Sequence, residues 1–168
     1  MIWYSPIEST PLGLVWVGVT ARGLAGVRLG GSRGQFIADL VRRIKAAAVE
    51  GHNQTDQAVE EIQAYLHGDL KSFTLPLDWS SMTVFQKQVL EETGRVPYGE
   101  TVTYRELADR IGRPRAARAV GRAEATNPMP LVLPCHRVIA SDGSLRGYAG
   151  PQGVETKAWL LQLERANL

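Results

Sequence analysis

Leu131-Val132-Leu133-Pro134-Cys135-His136-Arg137-Val138-Ile139 is the stretch on which the reading of this chain turns. An apolar run meets a proline, and the proline is followed by the only cysteine in the sequence and then by a histidine. The run reads as a buried β-segment that Pro134 interrupts just before the thiol. A lone cysteine in such a run is most often a small core residue. The histidine beside it shifts the balance, because a thiol of ordinary pKa (~8.5) becomes a competent nucleophile at neutral pH once a base can take its proton. Such a base needs an orienting carboxylate. The terminal helix, expected over about residues 155–165 with Trp159, Leu160 and Leu163 for packing, offers Glu155 and Glu164, and the sequence does not choose between them.

Upstream, the chain turns basic. From Arg105 to Arg122 it carries six arginines against Glu106 and Asp109, a local excess of about +4 that a polyanion would notice. Thr103-Tyr104-Arg105-Glu106 has the form of a capping box, and the short helix it starts is ended by Gly112 and Pro114. A further helix is expected from about Arg115 to Ala125. Two short helices joined by a tight glycine-containing turn make a helix-turn-helix pattern, which many helical cores also contain. At helical spacing Arg115, Arg118 and Arg122 share one face, while Ala116, Ala119, Val120 and Ala123 fill the other. A charge run is usually a solvated face. Gly121 in mid-helix, which costs ~1 kcal/mol relative to alanine, argues instead for a helix whose backbone approaches a groove wall.

The N-terminal half reads differently. Residues 14–19 and 24–29 are β-rich runs joined across Thr20-Ala21-Arg22-Gly23, a hairpin signal. Residues 35–50 are expected to be helical, with a second helix over 56–67 and a short extended segment over 73–77 that Pro76 confines to an edge. Composition changes near Asp78-Trp79-Ser80-Ser81, dividing the chain into residues 1–79 and 80–168. Thr83-Val84-Phe85-Gln86 is another capping-box form, opening a helix that stops at Gly94.

The 168 residues, 21% charged and with no run of ~18 apolar residues, belong to a globular chain that does not cross a membrane. The Met1-Ile2-Trp3-Tyr4 start is not that of a signal peptide, so a cytoplasmic location is expected. One cysteine makes no internal disulfide, and no Cys/His cluster has zinc-ligand spacing. No metal, no cofactor and no membrane partner is expected, and the protein is expected to work as a monomer.

Pro134-Cys135-His136-Arg137-Val138 resembles the active-site signature of the O6-alkylguanine-DNA alkyltransferases, which repair DNA by direct reversal. Tyr104-Arg105-Glu106-Leu107-Ala108, Ala117-Arg118-Ala119-Val120-Gly121, Asn127-Pro128, Gly147-Tyr148, Lys157, Trp159 and Glu164 extend the similarity over roughly residues 85–164. The resemblance implies an α/β (α+β) fold: a small ribonuclease-H-like domain of hairpin and helices, then a mostly helical domain with a helix-turn-helix. It implies double-stranded DNA containing O6-alkylguanine, and O4-alkylthymine with it, as substrate, bound through the minor groove with the base flipped. Cys135 would accept the alkyl group once and irreversibly. His136 would take the thiol proton, Glu164 would orient His136, and Asn127 would brace the turn. Arg118 would fill the space left by the base, with Arg115, Arg122, Ala119 and Gly121 on the same DNA-facing helix. Tyr104 would assist rotation and hydrogen-bond guanine N3. Tyr148, Ala149, Val138, Pro130 and Lys157 would form the pocket, the Cys135 and Val138 carbonyls reading the exocyclic amine.

This sequence departs from the family pattern at Ala149, where many members carry serine, and in a loop over 150–155 that is longer than in some. The zinc site of some N-terminal domains cannot form. Two rivals stand beside this reading: a non-catalytic alkyltransferase-like lesion-binding protein, which would lack the cysteine, and a thiol hydrolase, which would not need the arginine helix.

Overall fold

The computed structural model describes residues 1–148 and 152–168, which divide into two units, Met1–Ser81 and Met82–Leu168. In the first, β1 (Ile2–Thr10), β2 (Gly13–Thr20) and β3 (Gly23–Leu29) form an antiparallel meander, followed by α1 (Arg33–Ile44), β4 (Ala48–Glu50) and α2 (His52–Leu66). The sheet order is β3-β2-β1-β4, with β4 parallel to β1. Alternation along β1 serves two helices: Ile2 and Tyr4 join Trp16, Phe36 and Leu40 in a core with α1, whereas Ser5 hydrogen-bonds Thr55 of α2. Where α1 docks, the cross-strand partners Gly18 and Gly26 leave a flat place. A Cβ there would stand 2.6 Å from Leu40 Cδ1 or 2.8 Å from Leu40 Cδ2.

The hairpin expected from residues 14–29 is present, but two strands had no clear signal. β1 contains Pro6, and β4 falls inside the helix expected over 35–50. That helix stops at Lys45, whose left-handed backbone (φ 58°) directs its N–H to the Val41 carbonyl at 2.8 Å. The alanines that follow favour helix by propensity, yet pairing with β1 satisfies their backbone better. The segment with Pro76 lies beside β3: Leu24 N–H donates to the Pro76 carbonyl and Asp78 N–H to the Leu24 carbonyl.

The second unit runs α3 (Val84–Thr93), β5 (Val102–Thr103), α4 (Tyr104–Arg110), α5 (Ala117–Ala125), β6 (Val138–Ile139) and α6 (Val154–Ala166). The Thr103–Glu106 capping box closes in both directions (2.8 and 3.1 Å), worth about 1 kcal/mol to so short a helix. Thr83 caps α3 in one direction only, since the Gln86 amide donates instead to Thr126. Val89, Val96, Val102, Leu107, Ala108, Val120, Ala123 and Val138 form one core that binds α3, α4 and α5 to the parallel pair β5-β6. Among the described residues no helix is long and apolar enough to cross a membrane.

Candidate active site

Backbone geometry sets the cysteine turn. Leu131, fully buried, takes the left-handed region (φ 76°), which costs a non-glycine residue about 1–3 kcal/mol. Asn127 ties this segment down: its Nδ2 donates to the Leu133 carbonyl at 2.8 Å and its Oδ1 accepts the Met129 N–H at 2.9 Å. Pro134 then leads into a single 3-10 turn, Cys135–Arg137, closed by Arg137 N–H to the Pro134 carbonyl at 2.9 Å. The thiol therefore rides on a turn, and the β-segment expected from the apolar run is confined to Val138–Ile139. Proline has no N–H to give to a ladder, and here the backbone leaves the extended course at Pro134 to enter the turn.

The turn buries three consecutive side chains, and two of them, His136 and Arg137, converge on Glu164. His136 Nε2 lies 2.8 Å from Glu164 Oε1. Arg137 donates from Nε to both Glu164 oxygens (3.1 and 3.0 Å), from Nη2 to Oε1 (2.7 Å) and from Nη1 to the Val96 carbonyl (2.7 Å). The Gly99 N–H reaches Glu164 Oε2 at 3.1 Å. Burial alone would raise the Glu164 carboxyl, but hydrogen bonds and charge from His136 and Arg137 outweigh it and hold the group at about 2. Burial pushes His136 down from its ordinary value, against the pull of Glu164. His136 is thus a neutral imidazole beside a carboxylate. The carboxylate accepts the Nε2 proton, which leaves Nδ1 as the basic nitrogen. Of the two carboxylates left open by the sequence, Glu164 is the partner, and Glu155 is exposed.

The Cys135 thiol is pushed up to about 12, first by burial and then by the charge of Glu124; a hydrogen bond from Asn127 and the Lys157 charge oppose this without cancelling it. It opens on a cavity of about 770 Å³ that brings together Cys135, Asn127, Tyr104, Arg118, Gly121, Pro130, Tyr148 and Lys157 from the expected set. The Tyr148 ring stands edge-on to His136 at 6.4 Å, and Gly121 faces the Tyr104 ring, where an added Cβ would make only ordinary contact. Lys157 is 1% exposed, donates to the Arg146 carbonyl at 3.2 Å and lies 5.8 Å from the Tyr104 ring centroid.

Other expected residues stand apart. Arg115 precedes α5, which begins at Ala117, so it does not continue the stripe of Arg118 and Arg122; all three are exposed. Ala119 is half-buried and outside the cavity lining, and the Val138 side chain belongs to the core. Ala149 and Pro151 lie outside the described residues.

Three residues of the site had no role in the sequence reading. Arg137 was legible only as a cation in a buried apolar segment, which demands a counter-ion. Glu124 was legible as a carboxylate two residues beyond Arg122, on the helix turn that follows Gly121. Arg146 also lines the cavity, from the loop ahead of Tyr148.

Residues 84–166 match the family model described as 6-O-methylguanine DNA methyltransferase, DNA binding domain. The methylated-DNA–protein-cysteine methyltransferase of Methanosarcina barkeri is 41% identical over 168 residues, covering 99% of either chain. Among solved structures, the chain is similar to Mycobacterium tuberculosis OGT in complex with DNA (TM-score 0.82, 35% identity, 98% of this chain and 94% of that one). It is also similar to the O6-methylguanine-DNA methyltransferase of Pyrococcus kodakaraensis (TM-score 0.70, 29% identity, 98% and 99%). With these likenesses the chain belongs to the methylated-DNA–protein-cysteine methyltransferase family.

Proposed function

We propose that Cys135 takes the alkyl group from O6 of an alkylated guanine in double-stranded DNA, and from O4 of an alkylated thymine, in one irreversible turnover. The observation that carries this reading is the 770 Å³ cavity with the thiol in its wall and the His136–Glu164 pair beside it. A thiol pushed so far above its ordinary value by burial is almost wholly protonated at neutral pH, so proton removal belongs to the transfer step itself. His136 takes that proton and Glu164 stabilises the imidazolium. Sγ attacks the alkyl carbon in line, the C–S bond forms as the C–O bond breaks, and the base leaves with the electron pair. Tyr104 supplies a hydrogen bond at guanine N3, and the proton lost by the thiol returns to the base. The product thioether has no route back to thiol, which limits each molecule to one transfer.

The reactive carbon is out of reach inside a duplex, so the base must be rotated out at a cost of a few kcal/mol. Arg118 at the cavity and Arg122 and Arg115 nearby are exposed cations suited to phosphates and to the vacated stack, with Ala119 and Gly121 keeping the helix slim for a minor groove. Pro130, Tyr148 and Lys157 hold the base, and Asn127 keeps the turn in place. Residues 80–168 carry this chemistry, and residues 1–79 form a supporting ribonuclease-H-like domain. The cavity lining falls within the second unit, and the protein is expected to act as a monomer in the cytoplasm. The non-catalytic lesion-binding reading is not favoured, because it has no use for a thiol placed beside a base.

A Cys135→Ser variant is expected to lose transfer from O6-methylguanine DNA while binding the same duplex within about threefold of the parent. Transfer that survives the substitution overturns the assignment.

A further inference from the structure

Glu124 is 6% exposed and lines the cavity with Cys135, Tyr104 and Lys157, yet the reaction as described gives it no part. Its Oε1 bonds to the Thr93 hydroxyl, and that hydroxyl also lies 2.9 Å from the Val89 carbonyl of its own helix. One hydroxyl proton cannot serve two acceptors. If the proton goes to Val89, the Thr93 oxygen must accept, and Glu124 must be the donor: the carboxyl is then the neutral acid. Two further observations agree. Oε2 is buried without a hydrogen-bond partner among the described residues. Lys157 in the same cavity makes no ion pair among the described residues, being turned instead to the Arg146 carbonyl and the Tyr104 ring.

We propose that Glu124 is a positioning residue for the alkyl transfer: as the neutral acid it leaves the Lys157 ammonium free to favour the Cys135 thiolate, and as the carboxylate it opposes the thiolate both by its own charge and by drawing Lys157 to itself. The inference rests on Cys135 being the alkyl acceptor. Burial carries the Glu124 carboxyl up to about 7 against the Thr93 bond and the Lys157 charge, so the two states exchange near neutrality. The groups that face it are Thr93 of α3, Tyr104 of α4, Cys135 of the turn and Lys157 of α6, with Arg105, Arg118 and Arg146 also on the cavity wall. Of these, Lys157 is the buried cation whose charge acts on both the thiol and Glu124. A carboxylate and an ammonium a few ångströms apart in a partly dry site change each other's effect on a third charge by about tenfold in an equilibrium.

Because the chain has one cysteine, iodoacetamide reports its thiolate directly and without reference to DNA repair. Alkylation of the intact protein is followed by mass from about pH 6 to about pH 8.5, spanning the exchange. Glu124→Gln should match the parent within twofold at the acid end and exceed it about tenfold at the alkaline end. In a Lys157→Met background the same substitution should gain clearly less than it does in the parent, the remainder being the direct effect of the Glu124 charge on the thiol. A ratio that stays constant with pH overturns the proposal, since a merely structural change in the pocket would act at every pH. A gain that survives intact without Lys157 overturns the route through that residue. If the protein fails to accept alkyl groups from DNA at all, the thiol titration still reads out, so the two failures are distinguishable.

Discussion

Glu164 on α6 and Glu124 on α5 are both buried carboxyls that bear on the cysteine turn, and the chain treats them in contrasting ways. Glu164 is saturated by His136, Arg137 and the Gly99 N–H, and sits at about 2. Glu124 has one bonding oxygen and one without a partner among the described residues, and sits at about 7. The difference is one of donors and not of depth, since burial is the largest influence on each. A fully answered carboxylate makes a fixed frame for the base that serves the thiol. A half-answered one makes a wall whose charge can change while the fold stays put.

The sharpest way to break that contrast is to remove the fixed side. Glu164→Ala leaves the Arg137 guanidinium buried and unpaired, and should cost about 3–5 kcal/mol of stability in chemical denaturation as well as abolishing transfer. A loss below about 1 kcal/mol would mean that the saturated cluster is not a frame. Asn127→Ala strips partners from the Leu133 carbonyl and the Met129 N–H and should cost about 2–3 kcal/mol. It should also slow transfer, because the left-handed Leu131 is then free to relax. Unchanged transfer with lowered stability would separate the turn's shape from the chemistry.

On the open side, Arg118→Ala should leave stability unchanged, since the side chain is exposed, and slow repair of duplex substrate by about tenfold or more. Reaction with a free alkylguanine base should hardly change. Equal losses on both substrates would remove Arg118 from base flipping.

A further test lies in the pH dependence of folding, where the two carboxyls must have contrary signs. The folded-state value of Glu164 lies below its ordinary 4.5, so its contribution is complete above that value and fades as pH falls towards about 2. The folded-state value of Glu124 lies above 4.5, so its contribution is complete below 4.5 and is lost as pH rises through about 7. Glu124→Gln should therefore gain up to about 3 kcal/mol over the parent at alkaline pH and much less near pH 5, read by denaturant titration at both. A gain of equal size at both ends would contradict a neutral Glu124.

Much of this site was legible in the sequence because its chemistry is local. Pro134, Cys135 and His136 are adjacent, the Thr103–Glu106 box marks its own helix, and Asn127 before Pro128 marks a helix end. What was not legible depends on tertiary pairing. The choice of Glu164 over Glu155 needed the fold of α6 onto the turn. The strand β4 hid among alanines that favour helix, and β1 hid behind Pro6. The arginine stripe assumed a helix from Arg115, but the helix starts two residues later, so the helical wheel placed that residue on a face it does not occupy. Glu124 and Arg137 acquired meaning only when the burial of their charges could be seen.

The central claim, that Cys135 is consumed by one alkyl transfer, is tested most directly by O6-methylguanine duplex carrying a labelled methyl group. Intact protein mixed with excess duplex should take up label in a single burst that stops at about one methyl per molecule, and peptide mapping should place it on Cys135. Continued turnover beyond one equivalent, or label on any other residue, would contradict the account.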